Sequence, residues 1–325
     1  MFNLIFLYNL IKSELDEVEV ELKKEIEADN AKISPVISHI LLPGGKRVRP
    51  AILILCAKLG EFDRERSVKL AVAIELIHTA TLVHDDVVDE ANLRRGKPSI
   101  NAKWDNKFAV LLGDYLYTKG CRLLLKDKDI EAIRLVIGAT NDMTEGEVLQ
   151  EAAKNDPEVS FEDYLYIIRA KTAGLISACA KAGGMCGGLS RDKIYALERF
   201  GLNLGIAFQI IDDTLDWNAK KEKLGKPVTN DLREGGYTLP LIYLLQESKP
   251  DDKDTLCKML DSEGLNENDI LYIRGKMNDY KILEKVIDMG GKYIQSAKKE
   301  LEIFPPSKIK QALVTLTDYI IERDW

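Results

Sequence analysis

The chain has 325 residues, of which 46% are hydrophobic and 30% are charged, and its net charge is −7 at pH 7. A chain of this length can bury a large core in one domain or two, and its acidic balance argues against a nucleic-acid binder, which would present a basic face. Five scattered cysteines without a Cys-x-x-Cys pair, with only three histidines, indicate neither a zinc site nor a disulfide framework.

The N-terminal segment does not resemble a signal peptide. Met1 to Leu10 is apolar, but it lacks a basic region and runs directly into the acidic segment that begins at Glu14. Judged from the sequence, apolar stretches all fall short of a membrane span. We therefore expect a cytoplasmic protein without a membrane span.

The spacing of apolar residues predicts helix almost throughout. Ten prolines, few aromatic residues and apolar side chains repeating every three to four positions favour an all-α fold, with one helical domain over residues 1–325. The predicted helices are Phe2 to Ala28, Pro50 to Leu59, Glu65 to Asp89, Phe108 to Lys126, Asp129 to Ala152, Phe161 to Ala182, Ile194 to Asn218 and several between Leu241 and Trp325. The glycine-rich segment Gly183 to Gly188 is interpreted as a helix terminator.

A basic loop follows the first helices. Leu42 to Pro50 carries Lys46, Arg47 and Arg49 between glycines and prolines that restrict its shape. Preset cations on such a backbone suit an anion. A solvated basic loop explains this segment equally well when it is taken alone.

The first acidic motif lies at the end of an apolar helix. Asp85 and Asp89 are one helical turn apart, with Asp86 beside them, and Arg94 and Arg95 follow closely. Such a carboxylate pair suits Mg²⁺ shared with a phosphorylated ligand, and arginine matches phosphate oxygens well. The alternative is an acidic helix end in water with the arginines as its ion-pair partners.

A second acidic motif shifts the balance toward metal binding. Gln209, Asp212, Asp213 and Asp216 repeat the Asp-Asp-x-x-Asp spacing at the end of another apolar helix. Two such helices facing each other would hold several cations between them.

Two lysines lie in segments that suit an anion. Lys171 and Thr172 are in mid-helix among small neighbours, so the lysine either extends to the surface or meets a buried anion, and the small neighbours favour the second. Lys226 is in the long charged loop 220–240, a candidate lid.

Together these motifs resemble, in order and spacing, the trans-isoprenyl diphosphate synthases, over nearly the whole chain. The resemblance implies a single large helical bundle of the isoprenoid-synthase type with a central active-site cavity, and a homodimer. It also implies Mg²⁺-dependent head-to-tail condensation of isopentenyl diphosphate with an allylic diphosphate. The primer would be the dimethylallyl, geranyl, farnesyl or geranylgeranyl compound. Three Mg²⁺ per active site are expected, with Mn²⁺ able to substitute.

The same resemblance implies roles for individual residues. Asp85, Asp89 and Asp212 would bind the metal ions, with Asp86, Asp213 and Asp216 in support. Arg94, Lys171 and Lys226 would hold the allylic diphosphate. Isopentenyl diphosphate would be held by Lys46, Arg49, His78 and Arg95. Arg47, on the same basic loop as Lys46 and Arg49, is also predicted to bind substrate. Thr172 and Gln209 would supply oxygen dipoles near the allylic cation.

One position departs from the family pattern. Gly236 occupies a position where many members have a lysine, which removes one expected lid contact to the allylic diphosphate.

Three other functions are alternatives to a synthase. A class I terpene cyclase normally has a different second metal motif, and a non-catalytic subunit of a heteromeric synthase would have lost acids. A helical interaction protein would leave the motifs unexplained.

Product length depends on what lies below Asp85 on its helix. Thr81 and Ala80 occupy positions where family members that stop at farnesyl carry bulky aromatics, and Ile77 and Ile74 lie further down. We therefore expect a product in the geranylgeranyl to octaprenyl range. Its length would be limited by Ile77, Ile74 or the facing helix near residues 135–137, unless another helix closes the tunnel higher up.

Overall fold

The structure is a computed structural model that describes residues 2–27, 32–41, 45–94, 96–217, 230–261 and 264–322. Within these ranges the fold is helical, and the all-α prediction is confirmed. The helices are α1 (Phe2–Leu10), α2 (Lys12–Glu27), α3 (Ser34–Leu41), α4 (Val48–Ala57), α5 (Arg64–Val88), α6 (Ile100–Lys103), α7 (Asn106–Leu124), α8 (Ile130–Ala152), α9 (Phe161–Ile168), α10 (Gly174–Cys186), α11 (Arg191–Asp216), α12 (Asn230–Arg233), α13 (Leu239–Glu247), α14 (Pro250–Leu260), α15 (Glu267–Asp279), α16 (Ile282–Glu300) and α17 (Lys308–Ile321).

The chain divides into two compact units. The first comprises Met1–Thr140, Ala178–Leu197 and Phe304–Leu313, and the second comprises Asn141–Ser177, Glu198–Ile303 and Val314–Trp325. The expected single domain stays a prediction.

Helix α5 is the centre of the first unit. It begins at an N-cap where the Asp63 side chain accepts a hydrogen bond from the Arg66 backbone N–H. Helices α2, α4, α6 and α7 pack around it, so α5 is buried on most of its circumference. Gly120 of α7 allows a close approach to α5, since a Cβ there would lie 2.7 Å from Ile77 Cγ1. This packing holds the first acidic motif at the end of a rigid element.

The second unit has its own apolar core. Side chains of α9, α11, α13, α15 and α16 form one buried cluster, which includes Ile168, Ile210, Leu241, Ile273 and Val286. Helix α9 begins with a capping box, in which Ser160 and Asp163 each satisfy the other's backbone N–H. Helix α11 thereby carries the second acidic motif on a packed framework.

Four details of the sequence prediction need correction. The first predicted helix is two helices that break at Ile11. Two short antiparallel strands, β1 (Leu93–Arg94) and β2 (Lys97–Pro98), follow the first motif. Helix α10 ends within the predicted terminator Gly183 to Gly188, but at Cys186 rather than at Ala182. A Cβ at Gly183 would lie 2.3 Å from the Leu53 carbonyl oxygen, so this glycine serves close packing.

The fourth correction concerns membrane-spanning length. Helix α5 is long and apolar enough to cross a membrane by length and composition, contrary to the reading of the sequence. Of its most apolar window, 72% is buried inside the protein. An apolar helix of this kind is typical of a protein core.

Candidate active site

The first acidic motif is divided between accessible and buried carboxylates. The Asp89 N–H donates to the Asp85 carbonyl at 2.8 Å, so the two residues are one helical turn apart, as the spacing predicts. Asp85 is half-buried and Asp89 is exposed, whereas Asp86 is only 1% exposed. Asp85 and Asp89 can therefore reach a ligand that Asp86 cannot reach.

Asp86 is held by the arginine that follows the motif. The β1–β2 hairpin returns Arg94 to the end of α5, where its Nε donates to Asp86 Oδ1 at 2.7 Å and Oδ2 at 2.8 Å. Asn101 also donates to the Asp86 carbonyl oxygen at 3.0 Å. Burial raises the pKa of Asp86, and the charge of Arg94 opposes this rise. In this conformation Asp86 anchors Arg94.

Arg49 and His78 form a second cationic group in the first unit. Arg49 Nη1 lies 2.8 Å from His78 Nε2, and burial lowers the pKa of Arg49. Its Nε is buried with no hydrogen-bond partner in the described part of the chain. A half-buried guanidinium with one buried donor still to be satisfied fits an anionic ligand. Lys46, from the same loop, is exposed.

Arg47 has a different environment from the other loop cations. It is 8% exposed, its Nη1 donates to Glu75 at 2.7 Å, and its other donors bond to Glu19 and the Leu41 carbonyl. These acceptors occupy the guanidinium. The prediction that Arg47 binds substrate stays a prediction, which would require these bonds to be exchanged.

The second acidic motif shows the same division. Asp212 is exposed, while Asp213 and Asp216 are 5% and 9% exposed. Asp216 Oδ2 accepts from the Asp231 backbone N–H at 3.3 Å. Asp213 Oδ2 accepts from the Tyr164 hydroxyl at 2.7 Å, and its Oδ1 accepts from Gln209 Nε2 at 2.6 Å.

Burial raises the pKa of Asp213 to about 8, and the charges of Asp231 and Asp212 add to this rise. The hydrogen bonds from Tyr164 and Gln209 act in the opposite direction, because they stabilise the ionised carboxylate.

Lys171 and Thr172 lie in an irregular part of their predicted helix. Residues Arg169–Ala173 form a π-helical turn between α9 and α10, a feature frequent at functional sites. Thr172 Oγ1 donates to Gln209 Oε1 at 3.0 Å. Lys171 Nζ lies 2.6 Å from Glu147 Oε2, so an acid of α8 holds this lysine.

The accessible acids suit a hard divalent cation. Asp85, Asp89 and Asp212 present carboxylate oxygens, which Mg²⁺ and Mn²⁺ prefer, and each motif is too sparse to fill a coordination sphere alone. Among the described residues, groups of three or more His, Cys, Asp or Glu side chains placed to hold a metal ion are not found. Each motif by itself fits a cation whose remaining ligands are water and phosphate oxygens.

The remaining predicted residues are placed as follows. Arg95 and Lys226 lie outside the described residues. Ala80, Ile77 and Ile74 are buried, and Thr81 is half-buried with its hydroxyl bonded to the His78 carbonyl at 2.8 Å.

Three partners were missed in the sequence. Glu147, Tyr164 and Asp231 bind Lys171, Asp213 and Asp216 respectively. Each is distant in sequence from the residue it binds and belongs to no motif. Only the periodicity of α9, which places Tyr164 two turns before Lys171, offered a weak signal.

Comparisons with known proteins agree with this architecture. Residues 30–277 match the family model described as polyprenyl synthetase. The octaprenyl diphosphate synthase of Escherichia coli (strain K12) is 34% identical over 322 residues, covering 99% of each chain. The crystal structure of a decaprenyl diphosphate synthase from Rhodobacter capsulatus superposes with a TM-score of 0.91 at 34% identity, covering 98% of each chain. A polyprenyl synthase from Caulobacter crescentus CB15, complexed with calcium and isoprenyl diphosphate, gives 0.89 at 35% identity, covering 98% of this chain and 97% of that one.

Proposed function

Because the chain belongs to the polyprenyl synthetase family and is a trans-polyprenyl diphosphate synthase, we propose that it makes an all-trans product longer than farnesyl, in the geranylgeranyl to octaprenyl range. The reaction is Mg²⁺-dependent head-to-tail condensation of isopentenyl diphosphate with an allylic diphosphate. The carrying observation is that each acidic motif keeps at least one carboxylate accessible at the surface, while Asp86, Asp213 and Asp216 are buried and bonded within the protein.

The reaction breaks the allylic carbon–oxygen bond, and the diphosphate leaves with the electron pair. The double bond of isopentenyl diphosphate then attacks the allylic carbon, a carbon–carbon bond forms, and one proton is lost. Bound Mg²⁺ would neutralise the charge that develops on the leaving diphosphate. Asp85, Asp89 and Asp212 are the residues that would hold it.

Lys171 and Arg94 would donate to the allylic diphosphate. The bond from Arg94 to Asp86 uses only Nε, which leaves the terminal N–H groups able to donate to phosphate oxygens. Lys171 would exchange Glu147 for a phosphate oxygen when the substrate binds. Lys226 and Arg95 stay proposed contacts on the basis of the family motifs.

Arg49, His78 and Lys46 would hold isopentenyl diphosphate. Arg49 supplies a half-buried cation whose buried Nε has no partner among the described residues, which favours a charge-assisted bond to phosphate. Thr172 and Gln209 place oxygen dipoles where they can stabilise an allylic cation without attacking it. The departing diphosphate is the proposed acceptor of the final proton.

We also propose a cytoplasmic homodimer. All five cysteines are free thiols, as is usual in a reducing compartment.

The proposed function can be tested directly. Purified protein is incubated with isopentenyl diphosphate, Mg²⁺ and each allylic primer in turn, and chromatography of the dephosphorylated products gives their length. Production of farnesyl alone, or failure with every primer, would refute it.

A further inference from the structure

We propose that Tyr164 is a positioning residue for the condensation. It acts through Asp213 and Gln209 to fix the direction in which the Thr172 oxygen presents its lone pairs to the reacting allylic carbon. This inference rests on the proposed function, because it assigns Tyr164 to the same reaction.

The inference starts from a continuous chain of hydrogen bonds within the second unit. The Tyr164 hydroxyl donates to Asp213 at 2.7 Å, Gln209 Nε2 donates to Asp213 at 2.6 Å, and Thr172 donates to Gln209 Oε1 at 3.0 Å. Tyr164 and Asp213 are 4% and 5% exposed. The buried end of the chain is therefore shielded from water, which would otherwise replace any of these bonds.

The chemistry of the four groups sets the direction of every proton. With Asp213 ionised, the form that the bonds from Tyr164 and Gln209 stabilise, the carboxylate accepts at both oxygens, from Tyr164 on one side and Gln209 on the other. Gln209 must present its NH₂ group to Asp213, so its carbonyl oxygen faces Thr172. An amide oxygen only accepts, so Thr172 must donate its one hydroxyl proton there. The lone pairs of the Thr172 oxygen are then directed away from Gln209.

The backbone supports the same arrangement. Thr172 lies in the π-helical turn, which changes the direction of its side chain relative to a regular helix. Gly205 of α11 packs against this turn, since a Cβ there would lie 2.5 Å from the Ala173 Cα atom. One helical turn after Gly205, Gln209 meets Thr172. The Tyr164 hydroxyl, on α9, bonds to Asp213, so the other end of the network is also attached to α11.

Without the Tyr164 hydroxyl, one Asp213 oxygen would lose its donor. The carboxylate could then rotate, and the Gln209 amide would no longer be held in one orientation. A rotated amide would donate to Thr172 rather than accept from it. Thr172 could then turn its proton toward the allylic carbon, which is unfavourable next to a developing cation.

The first experiment compares Tyr164→Phe with Tyr166→Phe. Tyr166 lies on the same helix and donates to a carboxylate, Glu145, at 2.9 Å, but it is 51% exposed and outside the network. For Tyr164→Phe we expect kcat to fall about tenfold, the scale of one hydrogen bond to a charged group. The KM values for both substrates should change less than about twofold. Tyr166→Phe should leave kcat and both KM values unchanged.

The second experiment is a double-mutant cycle with Thr172→Val. If Tyr164 acts through the Thr172 hydroxyl, adding Tyr164→Phe to Thr172→Val should lower kcat little further. Thr172→Ser, which keeps the hydroxyl, should retain the sensitivity to Tyr164→Phe. A purely structural role for Tyr164 would make the two losses multiply.

A third measurement does not depend on turnover. In the substrate-free protein, the side-chain NH₂ resonances of Gln209 are followed by NMR and assigned by their loss in Gln209→Glu. They should shift or broaden in Tyr164→Phe and stay in place in Tyr166→Phe. Unchanged Gln209 resonances, an unchanged kcat, or multiplicative losses in the cycle would each overturn the role of Tyr164. Absence of any product from the wild-type protein would instead overturn the proposed function.

Discussion

Lys171 Nζ lies 2.6 Å from Glu147 Oε2, so a carboxylate occupies the lysine that we assign to the allylic diphosphate. Both side chains are largely shielded, with exposed fractions of 27% and 22%. A diphosphate that binds Lys171 must first displace Glu147 or share the lysine with it. The acid therefore competes with the substrate.

Glu147→Gln should lower the KM for the allylic diphosphate by roughly two- to fivefold, because a neutral amide competes less well for the lysine. The KM for isopentenyl diphosphate should not change. Glu151→Gln is the matched control, since Glu151 is also on α8 and pairs with Lys154 at 2.5 Å. Initial rates at varied primer concentration make the comparison. An unchanged or higher KM for the primer would show that Glu147 does not compete.

Removing an accessible acid should abolish turnover without unfolding the protein. We expect Asp85→Ala or Asp212→Ala to reduce kcat by several orders of magnitude, because each variant loses a metal ligand rather than core packing. Thermal unfolding of the metal-free protein should be nearly unchanged. Asp192→Ala, an exposed acid at the other end of α11, is the control. Calorimetry with Mg²⁺ and inorganic diphosphate measures their binding to each variant as a second test. Near-normal activity of either variant would contradict the metal assignment.

Arg49→Ala should raise the KM for isopentenyl diphosphate far more than the KM for the primer. The structure gives the reason, since Arg49 is a half-buried cation next to His78 whose buried Nε has no partner in the described residues. Loss of the Arg49 guanidinium should therefore raise the KM of the substrate that it contacts. Arg64→Ala, at an arginine that pairs with Glu17 on the surface, should leave both KM values unchanged. A rise confined to the primer would exchange the assignments of the two diphosphates.

Much of this site could be predicted from the sequence, since short motifs on regular helices specify their own geometry. The spacing of Asp85 and Asp89 alone places them one turn apart. The bonds that hold the inner acids could not be predicted, because they depend on contacts between distant segments. Tyr164 and Asp213 are 49 residues apart, and Arg47 is 28 residues from each of the acids that it bonds, Glu19 and Glu75.

The fold was predictable for a similar reason, and its errors have local causes. Apolar periodicity correctly predicts α5, α7 and α8, whose faces are buried. Helix α10 ends within the predicted terminator Gly183 to Gly188, but four residues later than predicted, because close packing against Leu53 requires glycine at Gly183 inside the helix. The π-helical turn at Lys171 had no pattern of its own, because its residues fit a regular helix equally well.

The buried cysteines should resist alkylation in the native protein. Burial raises the pKa of Cys186 to about 11 and that of Cys179 to about 12. At pH 8 the thiolate fraction of either is about 10⁻³ or less, and the thiolate is the reactive form. Iodoacetamide should therefore label the half-buried Cys121 and Cys257 first. Mass spectrometry locates the adducts, with guanidinium-unfolded protein as the control in which all five react. Labelling of Cys179 as fast as Cys257 would contradict the prediction.

The last prediction concerns product length and depends on the face of α5 below Asp85. Ala80 and Ile77 precede Asp85 by five and eight residues, which at about 1.5 Å per residue places them roughly 7.5 and 12 Å along the helix. Both are buried, at 1% and 0% exposure. Ile77 packs toward Gly120 of α7, so its side chain is fixed by the close approach of these two helices. The small side chain of Ala80 leaves space at this position, which is nearer to Asp85 than Ile77 is.

Ala80→Phe should shorten the product toward farnesyl, because a phenyl ring added at a packed position occupies space that the growing tail needs. Some loss of thermal stability is expected as well, at the scale of about 1–3 kcal/mol for overpacking. Ala73→Phe is the matched control, since Ala73 is buried on the same helix about 10 Å further from Asp85 than Ala80. If shortening came from general strain in α5, both variants would give the same product, whereas a tail that passes Ala80 should stop earlier only in Ala80→Phe. Chromatography and mass spectrometry of the dephosphorylated products measure this directly. An active Ala80→Phe enzyme with the wild-type product distribution would show that the tail does not pass this face of α5.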